Sequence, residues 1–267
     1  MCSGNTAHPL TEYRMKQSRS PGEPHGRSQY WLQPHVHVCA TPDGVIALDL
    51  KKDRYMGFSG PVCDAAAAIV SGWPVRETRN DAPATLSSGL LENAAQALTG
   101  AGLLVTSARL GKCATPVTLA RVDMMPIGEE LLVHPDSIRT VHVINFLSAC
   151  VAASAALRFR NLEVVVNKVR LRKARAIKRG LINDQSAMRE LTAVFRLLRG
   201  FAFTGVDRCL FHALALTNFL AQFDQFPTWV IGVKTDPFAA HSWVQEASLV
   251  LDDSPEEICL FSPLLAI

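Results

Sequence analysis

Three short hydrophobic runs follow one another between residues 35 and 60, and Gly, Asp and Lys residues separate them. The runs are HVHVCA, VIALDL and RYMGF, and they are rich in side chains that suit a pleated sheet. Runs of this kind between turn residues predict a meander of three β-strands.

Helical patterns follow the three predicted strands. Pro61 opens an Ala-rich segment, and Pro is favoured in the first turn of a helix. Further along, Ser87 or Ser88 could cap a second helix, in which apolar residues recur at helical spacing from Leu90 onwards. Residues 35–107 are therefore predicted to form a small α+β domain.

Changes in composition mark the ends of this domain. Residues 1–34 are polar and rich in Ser, Pro, Gly and Arg, which predicts a disordered tail. Residues 108–135 contain three Pro and no regular pattern, so we predict a linker there. A second domain is predicted over residues 136–267.

The second domain begins with helical patterns and ends with strand patterns. Its most apolar stretch, residues 141–157, has 17 residues, whereas a membrane helix needs about 20. A buried core helix is therefore the favoured interpretation. Further helices are predicted over residues 184–199 and from Asp207 onwards, and TWVIGVK and AHSWVQEASLVLD predict a small antiparallel sheet.

Charge and cysteine usage exclude several classes of protein. The net charge of +3, from 27 basic and 24 acidic residues, argues against a dedicated nucleic-acid binder. The seven Cys are odd in number, widely spaced and without a C-x-x-C pair, which argues against a zinc ribbon or a disulfide scaffold. Reduced thiols in a cytoplasmic protein are the expected state.

One basic run interrupts the balanced charge. Seven basic residues and no acidic residue lie between Lys168 and Arg179. A solvated helix face is the simpler interpretation, and a docking surface for an acidic partner is the alternative.

Cys209 is the thiol best placed for chemistry. It lies two residues after Asp207, in the first turn of the apolar helix, where unpaired N–H groups and the helix dipole favour a thiolate. The alternative is an inert cysteine packed in a buried helix, which is the commoner fate of a free Cys.

His241 and an Asp on the next strand favour the catalytic interpretation. If the hairpin is centred on Ala247, His241 faces Asp253, and directly opposed Cβ atoms are about 4.5–5.5 Å apart. A register shifted by one residue would select Asp252 instead. A Cys at a helix start with His and Asp on neighbouring strands is the arrangement of papain-like and transglutaminase-like enzymes.

A metal site is an alternative to this triad. Cys209 and His212 are one helical turn apart and could bind a metal together with His241 and Asp253. A packed or capped His212 is the favoured interpretation, and no metal is predicted.

The same residues carry a family resemblance. RCLFHALAL and TWVIGVKTDPFAAHSWVQEASLVLDDSPE resemble the lasso-peptide maturation B proteins, a family of transglutaminase-like cysteine peptidases. The resemblance implies that Cys209 is the nucleophile, His241 the base and Asp253 the third member of a triad. It also places Asp252 where the family has Asn.

The N-terminal unit carries a second resemblance. VHVC, VIALDLKKDRYMGF and LTGAGLL resemble the leader-peptide recognition domains of the same pathways, which are similar to the pyrroloquinoline-quinone chaperone. Such winged-helix-like domains of three strands and three helices bind an extended leader as an added strand. The residues implied to bind the leader are Arg54, Tyr55, Met56, Phe58, Leu90, Leu91 and Leu98. The alternative is that these side chains fill a small core.

The resemblances together imply a two-domain α+β leader peptidase of lasso-peptide biosynthesis, with a papain/transglutaminase-like catalytic domain. Its partners would be a precursor peptide and an ATP-dependent macrolactam cyclase, which would account for any ATP requirement. No cofactor, nucleic acid or membrane span is expected. A transglutaminase-type acyltransferase with the same triad and a non-catalytic module that delivers the precursor remain alternatives.

Overall fold

The computed structural model describes residues 30–74, 86–122, 138–202 and 208–267. It has the predicted α+β architecture. The N-terminal domain contains β1 (Trp31–Leu32), β2 (Val36–Thr41), β3 (Gly44–Asp49), β4 (Arg54–Phe58), α1 (Pro61–Ile69), α2 (Ser88–Gly100) and β5 (Leu104–Val105). The C-terminal domain contains α3 (Thr140–Phe159), α4 (Leu162–Lys178), α5 (Gln185–Ala202), α6 (Cys209–Leu220), β6 (Thr228–Thr235), β7 (Phe238–Glu246), β8 (Leu249–Val250), α7 (Pro255–Ile258) and β9 (Ser262–Ala266).

The N-terminal meander forms as the hydrophobic runs predict. Strands β2, β3 and β4 make an antiparallel sheet in that order, and β4 is one of its edges. Helix α2 begins where the capping signal places it, because the Ser87 hydroxyl accepts a hydrogen bond from the Leu90 N–H. Two of the three expected helices lie in the described part of this domain, and residues 75–85 lie outside it.

Ordered structure begins inside the segment that the sequence assigns to the tail. Strand β1 pairs antiparallel with β5, and Leu32 is buried in the N-terminal core. The remainder of the predicted tail, residues 1–29, lies outside the described residues.

Strand β3 is buried on both of its faces. Val45 and Ala47 face the N-terminal core beneath α1 and α2, whereas Ile46 and Leu48 belong to the core of the C-terminal domain. This explains why VIALDL lacks the polar alternation of a strand with one wet face. The two domains therefore share one sheet, and removal of either would expose apolar side chains of the other.

The described part of the predicted linker is packed against both domains. Lys112 and Leu32 exchange backbone hydrogen bonds of 2.8 and 2.9 Å. Further along, Leu119 and Val122 pack on a cluster around Val230 and Trp243 in the C-terminal sheet. The rest of the predicted linker, from residue 123, lies outside the described residues.

Helix α6 is the centre of the C-terminal domain. Its residues from Ala213 to Leu220 are buried except Asn218, as its nearly continuous apolar sequence predicts. Helices α3 and α5 pack on one side of α6, and the sheet β8-β7-β6-β9 packs on the other. Strand β9 is not among the elements predicted from the sequence. It pairs with β6 and contacts β2, so it lies at the junction of the two domains.

Helix α3 differs from the expected buried core helix. Its buried face carries Phe146, Cys150 and Ala153, but Ile144 and Val151 are exposed. The reason is that α3 lies outside α6 and is covered only on the side that faces α6 and α5. By length and composition α3 is the one helix of the described residues that could cross a membrane, a test that core helices also pass.

Part of the basic run has a structural role that neither interpretation anticipated. The Lys173 ammonium donates to the carbonyls of Pro227 and Ile267 and to the Thr228 hydroxyl, at 3.0 to 3.3 Å. Arg172 donates to the carbonyl of Thr217. These two cations therefore connect α4 to the rest of the C-terminal domain instead of facing a partner.

The shared sheet predicts that the two domains unfold together. Leu48→Ala should lower the free energy of unfolding by about 2–5 kcal/mol, because Leu48 is fully buried in the C-terminal core. Urea unfolding, followed by tryptophan fluorescence and far-UV circular dichroism, should show one shifted transition. The matched control is Leu110→Ala at an exposed position, which should change stability by no more than about 0.5 kcal/mol. Two separate transitions, of which Leu48→Ala shifts only one, would contradict the shared core.

Candidate active site

Cys209 is the first residue of α6, where the helix leaves backbone N–H groups without intrahelical partners. The residue before it, Arg208, provides no side-chain cap. The backbone N–H groups of Leu210 and Ser242 hydrogen-bond to the sulfur instead and favour its thiolate form. The thiol therefore occupies the position that the sequence predicts, with donors from both α6 and β7.

His241 lies on β7, directly opposite Gly232 of β6. Its imidazole stacks on Trp243, with 6.2 Å between ring centroids and 19° between planes, and lies 5.1 Å from the ring centroid of Phe261. A Cβ atom at Gly232 would approach the Trp243 ring to 2.7 Å, so Gly232 makes room for the ring on which His241 stacks. These contacts fix the plane of the imidazole.

Asp253 reaches His241 from the bend that follows β8. Nε2 of His241 is hydrogen-bonded to Oδ2 of Asp253, while Oδ1 accepts from the Ser254 N–H at 2.9 Å. Because Nε2 is occupied, Nδ1 is the ring nitrogen left to face the thiol. Both side chains retain less than a fifth of their accessible surface, at 17% and 18%.

The three groups support one another's charges. A hydrogen bond with His241 lowers the pKa of Cys209, although partial burial opposes this. Hydrogen bonds with Asp253 and then with Cys209 raise the pKa of His241 to about 10. Burial alone would raise the pKa of Asp253, but the hydrogen bonds from His241 and Ser254 lower it overall. The site is therefore a thiolate–imidazolium pair held by a carboxylate, an arrangement suited to nucleophilic acyl transfer.

Cys209 differs electrostatically from the buried cysteines of the chain. Burial raises the pKa of Cys39 to about 12 and that of Cys150 to about 11, so both remain protonated and inert. All six cysteines of the described residues are reduced.

The hairpin register predicted from sequence is wrong, although it selected the carboxylate that contacts His241. Strands β7 and β8 pair Gln245 with Val250 and Glu246 with Leu249, one residue away from the register centred on Ala247. The turn is closed by Ala247 in a left-handed conformation, at φ 50°, and by Ser248. Asp253 meets His241 because the chain bends after β8, and cross-strand pairing does not bring them together.

Asp252 has a different partner and a different charge state. Its Oδ1 accepts a hydrogen bond of 2.7 Å from the Val244 N–H and so replaces the next rung of the β7–β8 ladder. Burial raises the pKa of Asp252 to about 7. The side chain is thus driven towards its neutral, protonated form.

Tyr55 of β4 extends from the N-terminal domain to the edge of the site. Its ring meets Phe238 of β7 edge-on, with 5.8 Å between centroids, and packs on the C-terminal core. Burial, the charge of Asp53 and the charge of Cys209 raise the pKa of Tyr55 to about 12. The family resemblance implies a role in leader binding for Tyr55, and no pattern in the sequence predicts its contact with β7.

The other predicted leader-binding residues lie on and around the N-terminal core. Arg54 is exposed at the sheet edge. Four of the remaining residues are half-buried against that core, namely Met56, Phe58, Leu90 and Leu91. The predicted role of Leu98 in leader binding is wrong, because its side chain is completely buried and offers no surface to a peptide. For Leu98, the alternative that these side chains fill the core is the right one.

His212 does not join the triad. Burial lowers the pKa of its imidazole, as do the charges of Arg199 and Arg208. Its ring lies edge-on to Phe211, with 5.5 Å between centroids. Within the described ranges there is no cluster of three or more His, Cys, Asp or Glu side chains that could hold a metal ion.

The thiolate–imidazolium pair predicts unusual reactivity at low pH. Because the hydrogen bond with His241 lowers the pKa of Cys209 and the pKa of His241 is raised to about 10, the ion pair extends to lower pH than an ordinary thiol would allow. At pH 6, iodoacetamide should alkylate Cys209 at least about tenfold faster than it alkylates the thiol of glutathione. Peptide mapping by mass spectrometry would measure this, and His241→Gln should remove the excess rate. A Cys209 rate that follows the pH dependence of glutathione would contradict the ion pair.

The two neighbouring carboxyls should differ in their effects on acylation. Asp253→Asn should slow acylation of Cys209 by p-nitrophenyl acetate about 10²–10⁴-fold, because the imidazolium loses its carboxylate. Asp252→Asn should cost less than about tenfold, because the amide oxygen can still accept from Val244. A larger loss at position 252 would contradict these roles.

The Asp252 variant has a stability readout as well. The folded-state pKa of Asp252 is raised to about 7, so the wild-type protein loses stability as pH rises from about 4 to 7. Asn cannot ionise, so the melting temperature of Asp252→Asn should rise relative to that of the wild type as the pH increases from about 4 to 7. A difference in melting temperature between the two proteins that does not change with pH would contradict the raised pKa of Asp252.

Comparison with known proteins identifies the C-terminal part of the chain. Residues 149–266 match the family described as the transglutaminase-like superfamily. No curated protein and no solved structure matches the chain. The match covers α6, β7 and the bend after β8, which carry Cys209, His241 and Asp253. The chain therefore contains a transglutaminase-like superfamily domain at residues 149–266, which suggests cysteine peptidase or acyltransferase chemistry.

Proposed function

We propose that this protein is a leader peptidase of lasso-peptide biosynthesis, which removes the leader from a ribosomally made precursor peptide by thiol catalysis. The observation that carries the proposal is the position of Tyr55. Through this residue, which contacts Phe238, the edge strand of the N-terminal sheet reaches β7, the strand that carries His241. A peptide bound at that edge would thus be held next to the nucleophile.

The site supports a two-step hydrolysis. The Cys209 thiolate attacks the carbonyl carbon of the scissile peptide bond, and the His241 imidazolium donates its proton to the departing amine. The backbone N–H of Cys209 is a candidate donor to the oxyanion. Water, deprotonated by His241, then attacks the thioester and releases the leader as a carboxylate. Asp253 stabilises the imidazolium in both steps.

Strand addition at β4 is the proposed mode of leader binding. Strand β4 pairs with β3 on one side, and no strand of the described residues pairs with its other side. Such an edge presents unpaired backbone groups to an extended peptide. Arg54 and Gly57 are exposed along it, and Met56 and Phe58 keep part of their surface.

The proposal includes partners and location. Cleavage frees the α-amine of the core peptide, and an ATP-dependent macrolactam cyclase would join that amine to a carboxyl group to close the ring. On this proposal the chain itself needs no cofactor and acts in the cytoplasm. These elements rest on the resemblance of the sequence to lasso-peptide maturation B proteins.

The test is leader removal from a precursor peptide. The wild-type protein should release the leader with a new carboxylate, as measured by mass spectrometry, and Cys209→Ala should release none. Leader affinity of Cys209→Ala, measured by fluorescence anisotropy, should stay within about threefold of the wild type. Cys259→Ala removes an exposed thiol outside the triad and should cleave normally. More than a few per cent of wild-type cleavage by Cys209→Ala would overturn the assignment.

An added primary amine separates hydrolysis from acyl transfer. A peptidase should yield the leader acid whether or not glycine amide is present, because water is the acceptor. If most of the released leader carries glycine amide on its new C-terminal carbonyl, this would contradict the proposed hydrolysis and indicate an acyltransferase.

A further inference from the structure

A cavity of about 320 Å³ lies at the junction of the two domains. Its walls come from β1 and β2, from residues 112–115, and from α4 and β9. None of the triad residues lines it. Its volume is at the lower end of the range for small-molecule sites.

Two cations and a histidine converge in this cavity. The Lys112 ammonium lies 3.2 Å from Nε2 and 3.4 Å from Nδ1 of His37. Arg170, from the basic run of α4, lines the same space. No carboxylate lines the cavity, and no ion pair involves Lys112 or Arg170 within the described parts of the chain.

This arrangement is unfavourable without a ligand. Burial and the charge of Arg170 lower the pKa of Lys112 to about 8. Burial, followed by the charges of Lys112, Arg170 and His35, lowers the pKa of His37 to about 3, which leaves that ring neutral. Like charges that are held together and partly removed from water are costly unless an anion compensates them.

The rest of the lining is apolar. Leu32, Val36, Val38 and Leu264 lie around the cations. A ligand that fits these walls has an anionic head and a short hydrocarbon body. Inorganic phosphate would satisfy the head region alone.

We propose that this cavity binds a small organic anion, with its carboxylate or phosphate group between Lys112 and Arg170 and its apolar part against Leu32 and Leu264. Because the walls belong to both domains, the bound anion would hold the N-terminal sheet against α4 and β9. The site is separate from the triad, so its existence does not depend on the proposed peptidase activity.

Isothermal titration calorimetry on the full chain, at constant ionic strength, tests the proposal with three probes. Hexanoate should bind at least about tenfold more tightly than acetate, because its hydrocarbon chain reaches the apolar walls. Hexanamide has the same length but no charge and should not bind. Inorganic phosphate distinguishes the two head groups: binding tighter than that of acetate would assign the site to phosphate esters, and weaker binding to carboxylates.

Variants identify the site. Lys112→Met and Arg170→Met should each weaken hexanoate binding at least about tenfold. Arg175→Met, at an exposed position of the same helix, should leave it unchanged. Melting temperatures without ligand confirm that each variant folds, and two independent cavity variants keep the test valid if one of them does not.

Proton uptake gives an independent readout. An anion beside Lys112 favours its ammonium form, so binding at pH 8 should take up protons and make the measured enthalpy depend on the buffer. His37 on β2 and Arg170 on α4 are the charged or titratable groups that face Lys112, and Lys112→Met should abolish the uptake. Two results would overturn the proposal. One is the absence of saturable binding of both hexanoate and phosphate to the wild type, and the other is that both cavity variants bind hexanoate as tightly as the wild type does.

Discussion

The hydrogen bond between His241 and Asp253 determines the charges of the whole site. It makes the largest contribution to the raised pKa of His241, and the hydrogen bond from His241 in turn lowers the pKa of Cys209. The stacked ring of Trp243 and the neighbouring Phe261 hold the imidazole in the orientation that this hydrogen bond requires. The function that the sequence resemblance suggests, thiol-dependent peptide cleavage, depends on this pair remaining charged.

The same site depends on the N-terminal sheet. Strand β3 supplies Ile46 and Leu48 to the C-terminal core, and β4 carries Tyr55 to the edge of the active site. The N-terminal and C-terminal parts of the described structure therefore share buried side chains of one strand. On the proposed function, a peptide on the edge of β4 would contact a sheet that already contributes to the core of the C-terminal domain.

The sequence predicts most of the elements but not how they meet. The position of Cys209 at a helix start followed from an apolar helix after Asp207, and the three N-terminal strands followed from their hydrophobic runs. The hairpin register did not, because β8 has only two residues, too few for their hydrophobic pattern to exclude a shift by one residue. A usable signal was present in Ser254-Pro255, since Ser as N-cap and Pro in the first turn mark a helix start and end the strand before Asp253. No local pattern could have placed Phe261, Tyr55 or Arg170, whose contacts depend on packing between distant segments.

The most direct measurement is the protonation state of His241, followed by nuclear magnetic resonance in the full-length protein with labelled histidine. The account predicts that the imidazole stays protonated at pH 8 and titrates near pH 10, because Asp253 and the Cys209 thiolate both stabilise its charge. It also predicts that Asp253→Asn lowers this midpoint. A His241 that titrates near 6.5 in the wild type and is neutral at pH 8 would contradict the thiolate–imidazolium pair.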